Sequence, residues 1–142
     1  MKSVAQLLKL KGGGVYSISP DASVFDCVKL MADKGIGAVL VMEGAQLLGM
    51  LSERDYARKV VLQGKSSSNT QVRDIMTTEV LCVSPKETNE ECMALMTEKR
   101  IRHLPVLDCG VVVGIISIGD LVKDIIAEQQ QLIQQLESYI HY

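Results

Sequence analysis

The chain has 142 residues, 47% of them hydrophobic, with a formal net charge of −2 and no Trp. That is enough apolar material for one packed domain or two very small ones. The near-balanced charge and the 4% aromatic content give no basis for a general nucleic-acid binder or a base-stacking platform.

In chain order, SVAQLLKL reads as a short lead-in helix. Lys9 and Lys11 interrupt the apolar start, so it does not read as a signal peptide. No run approaches the ~20 apolar residues of a membrane helix, and a cytoplasmic protein is expected. Residues 15–18 are β-prone and stop at Ser19-Pro20, because proline removes a donor and fixes φ. Ser23 is placed to cap a helix in which Val24, Cys27, Val28 and Met31 share one apolar face. Residues 38–42 and 47–51 read as strands joined by a turn at Gly44. The second strand ends in GMLSERD, and a helix starts near Ser52-x-x-Asp55. The polar stretch LQGKSSSNT, residues 62–70, reads as a loop, with Thr70 placed to cap the short helix of QVRDIM.

The same order then recurs. Residues 80–83 read as a strand before Ser84-Pro85, and Thr88 as the cap of a helix carrying Cys92, Leu95 and Met96. Residues 104–107 and 111–116 read as strands around a turn at Gly110. GIISIGD repeats the earlier frame: Gly49, Ser52 and Asp55 lie over Gly114, Ser117 and Asp120, a shift of 65 residues. Residues 15–61 overlie 80–126 without a gap, which marks a duplication. The expected fold class is α/β (α+β), two tandem β-α-β-β-α units, residues 1–70 and 71–142. Pseudo-twofold closure is expected, because it buries both faces. The last helix carries Leu121, Ile125, Leu132, Leu136 and Ile140, a pattern suited to a partner helix or a homodimer.

With VRDIMTTEVLCVSP, RIRHLPVLD and two Gly-x-x-Ser-x-x-Asp frames in order, nearly the whole chain resembles a stand-alone CBS-domain pair, or Bateman module. The resemblance implies a regulatory module for an adenosyl ligand: AMP, ADP, ATP, NAD(H) or S-adenosylmethionine. It also implies that Asp55 and Asp120 accept ribose hydroxyls while Ser52 and Ser117 sit near ribose or phosphate. A carboxylate suits that role, since it accepts two hydroxyl protons at once. Plain helix capping is the structural alternative for the same residues.

Arg102 and His103 are implied as phosphate contacts, while Lys99 and Arg100 read as a solvated helix end. Repeat one has Gly35-Ile36-Gly37-Ala38 at the matching positions, but carries Arg54 where repeat two has Gly119. By resemblance, the motif of one repeat faces the lead-in and inner strand of the other. Ser52, Arg54 and Asp55 would then share a cation-rich site with Thr78, Ile101 and Arg102. Ser117 and Asp120 would share a less charged site with Gly13, Ile36 and Gly37, suited to a bulkier or less anionic ligand. The glycines at 12–14 allow close backbone approach or serve as a flexible joint.

Cys27, Cys82, Cys92 and Cys109 form no Cys-x-x-Cys pair and are expected as reduced thiols. The sequence has no Walker-type phosphate loop, no zinc-ligand spacing and only two histidines, His103 and His141. Neither catalysis nor a bound metal is expected. The reading of a different class is a dimeric interaction scaffold with degenerate ligand sites and an unknown protein partner.

Overall fold

A computed structural model describes residues 2–12 and 14–140. The first helix of each repeat begins at its expected cap. α2 (Val24–Lys34) follows Ser23, whose side chain accepts from the Asp26 N–H. α5 (Asn89–Lys99) follows Thr88, which accepts in the same way from Glu91. Both end in the left-handed region, α2 at Gly35 (φ 63) and α5 at Arg100 (φ 55). Their inward faces carry Val24, Cys27 and Met31, and Asn89, Cys92 and Met96.

Each repeat contributes a small sheet. In the first, β1 (Ser17–Ile18) runs parallel to β2 (Ala38–Glu43), which pairs antiparallel with β3 (Gln46–Ser52). In the second, β4 (His103–Asp108) pairs with β5 (Val111–Ser117). The hairpin turns fall at Gly44 (φ 60) and at Cys109-Gly110 (φ 51 and 80). At Cys109-Gly110 positive φ at both central residues gives the twist that a two-residue hairpin loop needs, and at Gly44 the first central residue alone takes it.

The expected strand at residues 80–83 shrinks to one parallel bridge, Val83 to Val106. Proline explains the difference. In repeat one the Leu40 N–H donates to the Tyr16 carbonyl at 3.3 Å. The matching residue in repeat two is Pro105, which has no N–H, so the corresponding bond to Leu81 cannot form. Residues 15–16 likewise fall outside β1, which keeps only Ser17 and Ile18 of the expected four.

The chain packs as two compact units, and their composition departs from a simple cut at residue 70. One unit holds residues 2–12, 82–108 and 114–140; the other holds residues 14–81 and 109–113. Each lead-in therefore packs on the repeat that is not its sequence neighbour. In the first unit α1 (Val4–Lys11) docks on repeat two: the Val4 N–H donates to the Glu87 carbonyl, and the Asn89 N–H to the Lys2 carbonyl. In the second unit α4 (Val72–Ile75) docks on repeat one: the Val72 N–H donates to the Ala22 carbonyl, and the Val24 N–H to the Thr70 carbonyl. Val4 and Val72 thus correspond, so the lead-ins align at a shift of 68 rather than 65 residues. Val4, Leu7, Leu104, Val106 and Ile116 lie in one core, and Val39, Val41, Leu51, Val72 and Ile75 in the other. Each such side chain contributes about 1.5–3 kcal/mol by burial.

Thr70 does not cap α4. Gln71 occupies that position without a side-chain bond, and the Thr70 hydroxyl donates to the Ser66 carbonyl at 2.7 Å. The loop uses the hydroxyl to close itself. α6 (Ile118–Ile140) is the long final helix. Leu121 is buried and Ile125 half-buried, while Leu132, Leu136 and Ile140 are exposed.

Candidate functional site

Both Ser-x-x-Asp motifs sit where a half-buried strand turns into a helix. β3 delivers Ser52 to α3 (Glu53–Tyr56), which continues as a π turn over Ala57–Val61. β5 delivers Ser117 to α6. At each junction the first helical N–H is bonded to the start of the inner strand: Glu53 donates to the Gly37 carbonyl at 3.0 Å, and Ile118 to the Arg102 carbonyl at 2.8 Å.

The serine and aspartate are bonded to each other. The Asp55 N–H donates to Ser52 Oγ at 3.2 Å, and Asp55 Oδ2 accepts the Ser52 N–H at 3.0 Å. Asp120 and Ser117 do the same at 3.2 and 2.8 Å. These are capping boxes. Capping and ligand binding are therefore not exclusive readings, because capping fixes where the carboxylate points.

What else reaches each carboxylate differs. Asp55 is braced on both oxygens: Thr77 Oγ1 donates to Oδ1 at 3.3 Å, Lys59 Nζ lies 3.2 Å from Oδ1, and Ser52 Oγ donates to Oδ2 at 3.1 Å. Asp120 receives Lys11 Nζ on Oδ2 at 2.8 Å, and no described contact falls on its Oδ1. Lys11 also donates to the Ile115 carbonyl at 2.9 Å.

The lead-ins explain the contrast. In one unit the chain leaves α4 at Met76, and the Thr77 backbone exchanges two bonds with Met50, at 3.0 and 2.9 Å. In the other, α1 runs on to Lys11, and an ammonium reaches Ile115, the counterpart of Met50. The clamps are also of opposite charge. Asp124 of α6 holds Lys2 of its lead-in at 2.7 Å. Its counterpart Lys59 donates to the Ile75 carbonyl of the other lead-in at 3.0 Å.

Ile36 and Gly37 belong to the unit of Ser52 and Asp55, and are half-buried. Ile101, Arg102 and His103 belong to the unit of Ser117 and Asp120; Ile101 and His103 are half-buried and Arg102 exposed. Arg54 is exposed on α3. Thr78 is exposed, and its neighbour Thr77 is the residue that touches Asp55. Gly13 and His141 lie outside the described residues. Sequence reasoning missed Lys11, Lys59 and Thr77. A 65-residue alignment hides Lys11, because the lead-ins obey a different shift.

Burial alone would raise the Asp120 carboxyl. The hydrogen bond from Lys11, the Ser117 N–H and the Lys11 charge outweigh it, and the group lies below its ordinary 3.8. A depressed carboxyl adds stability that is present above the unfolded value and lost as pH falls through the folded one. Urea unfolding from about pH 5 to about pH 2 should show a loss of stability below the ordinary value that Asp120→Asn reduces. An unchanged acid limb in Asp120→Asn would contradict the Lys11 pairing.

Burial raises the Cys27 and Cys92 thiols to about 11, and all four cysteines are free. Among the described residues no acidic, histidine or thiol cluster could hold a metal, and no helix is long and apolar enough to cross a membrane.

A family model described as CBS domain matches residues 14–62 and 72–127. A protein with CBS domains from Burkholderia ambifaria MC40-6 is 55% identical, with a TM-score of 0.87 over 90% of this chain and 96% of its own. The CBS domain-containing protein CBSX3, mitochondrial, of Arabidopsis thaliana is 37% identical over 97% of this chain and 71% of its own. A CBS domain protein from Pyrobaculum aerophilum, solved in complex with AMP, shares the fold at 21% identity, with a TM-score of 0.75 over 83% of this chain and 88% of its own.

Proposed function

Because the chain belongs to the CBS-domain family, carrying two copies of its unit, we propose that it is a regulatory module that senses an adenine nucleotide. AMP is the first candidate, followed by ADP, ATP, NAD(H) and S-adenosylmethionine. The observation that carries the reading is Asp120. Its side chain is 22% exposed, capping fixes its orientation, and Oδ1 takes no described bond. A ribose diol needs such an acceptor.

In this proposal Asp120 and Asp55 hold ribose, with Ser117 and Ser52 beside them. Arg54, Arg102 and His103 meet phosphate, and Thr78, Ile36, Ile101, Gly13 and Gly37 line the base. The ligand acts by differential affinity for two arrangements of a homodimer, which a protein partner reads. The free thiols suit a reducing compartment, and we place the protein in the cytoplasm.

The test is a thermal-shift screen of the purified protein against the five ligand types. Saturation at ~100 times the dissociation constant adds roughly 2.7 kcal/mol, a clear rise in melting temperature. The exposed apolar row Leu132, Leu136 and Ile140 favours the second reading, a dimeric scaffold with degenerate sites. No shift with any ligand would decide for that scaffold.

A further inference from the structure

Lys11 is a lysine that the duplication does not predict, and it sits on the carboxylate that ribose would need. Its ammonium is 2.8 Å from Asp120 Oδ2 and 2.9 Å from the Ile115 carbonyl. It is the last residue of α1, where the helix's negative end favours a cation. Lys11, Asp120, Ser117 and Ile115 all belong to one compact unit.

Resting on the nucleotide-binding reading, we propose that Lys11 makes the Asp120 site selective for a phosphorylated adenosyl ligand over the free nucleoside. An ammonium has three donors, and here two are used. Ribose hydroxyls compete with it for the carboxylate. An ammonium displaced from Asp120 keeps one neutral acceptor, the Ile115 carbonyl, and loses its anion. Lys11 is exposed and Asp120 half-buried, so losing the pair opposes binding by the modest worth of a partly solvated ion pair. A phosphate on the same ligand supplies a new anion within reach of a flexible four-carbon stem. A nucleoside supplies none, so it meets the competition without the compensation.

The sequence expectation was a less charged site around Ser117 and Asp120. Lys11 places a cation there. The counterpart Asp55 has its own lysine, but Lys59 belongs to the same helix turn rather than to a lead-in. Each lysine also holds one backbone carbonyl, Lys11 that of Ile115 and Lys59 that of Ile75.

The experiment is calorimetric titration of AMP and of adenosine into the Asp55→Ala protein, so that the Asp120 site is observed alone. Lys11→Met and Lys11→Arg are then added in that background, with melting curves to show that each variant folds. AMP should bind about tenfold tighter than adenosine, the worth of one charge-assisted bond. Lys11→Met should bring the ratio near one, weakening AMP and tightening adenosine, while Lys11→Arg should keep the preference. A ratio unchanged in Lys11→Met would overturn the lysine's role and leave the nucleotide reading standing. Absence of binding by either ligand to the unmutated chain would overturn both.

Discussion

Replacing Gly49 by alanine is expected to destabilise the protein by about 3 kcal/mol, although only one methyl group is added. A Cβ at Gly49 would lie 2.6 Å from the Thr77 carbonyl oxygen and 3.0 Å from Met76 Sδ. The oxygen is backbone and cannot rotate away. Moving it breaks the paired bonds between Met50 and Thr77 and withdraws the Thr77 hydroxyl from Asp55. Gly114, at the same place in the second frame, serves as the control. Its Cβ would meet Leu8 Cδ2 at 2.5 Å, the far end of a flexible side chain. Gly114→Ala should cost about 1 kcal/mol. Urea unfolding of the two variants measures the difference. Equal losses would show that the lead-in does not lie against β3 as described.

Asp124→Ala is expected to cost about 2–3 kcal/mol. The residue is 7% exposed on α6, and its carboxylate accepts from Asn89 Nδ2 at 2.9 Å and pairs with Lys2 at 2.7 Å. Asn89 is buried at the start of α5, and its Oδ1 already lacks a partner. Removing the carboxylate leaves that amide with the Leu121 carbonyl as its one described acceptor. Asp124→Asn keeps an acceptor for Asn89 and should lose only about 1 kcal/mol. The effect should extend to ligand binding, because Lys2 and Lys11 anchor the two ends of one lead-in. Equal stability of the alanine and asparagine variants would remove Asn89 from the explanation.

Much of this was legible in the sequence because the duplication repeats its punctuation. Ser23 and Thr88 announce helix starts, Gly44 and Gly110 mark hairpin turns, and the Gly-x-x-Ser-x-x-Asp frames mark the two junctions. Capping chemistry is local, so a few residues suffice to read it. The docking of each lead-in on the other repeat was not readable in that way. It depends on backbone bonds such as Val4 to Glu87 and Val72 to Ala22, which pair residues far apart in the chain. The short pairing at Val83 was readable in principle from Pro105, but only once the parallel register was known. Lys11 looked like a charge ending an apolar run, and only the fold brings it to Asp120.

In the proposed function the two aspartates hold an adenosyl ribose. The most direct measurement is calorimetric titration of AMP into the wild-type chain, Asp55→Ala, Asp120→Ala and the double variant. Binding should be saturable, and Asp120→Ala should remove about 100-fold in affinity at its site, the worth of two hydrogen bonds to a charged acceptor. The double variant should show no heat of binding. AMP bound equally well by the double variant and the wild type would contradict the account.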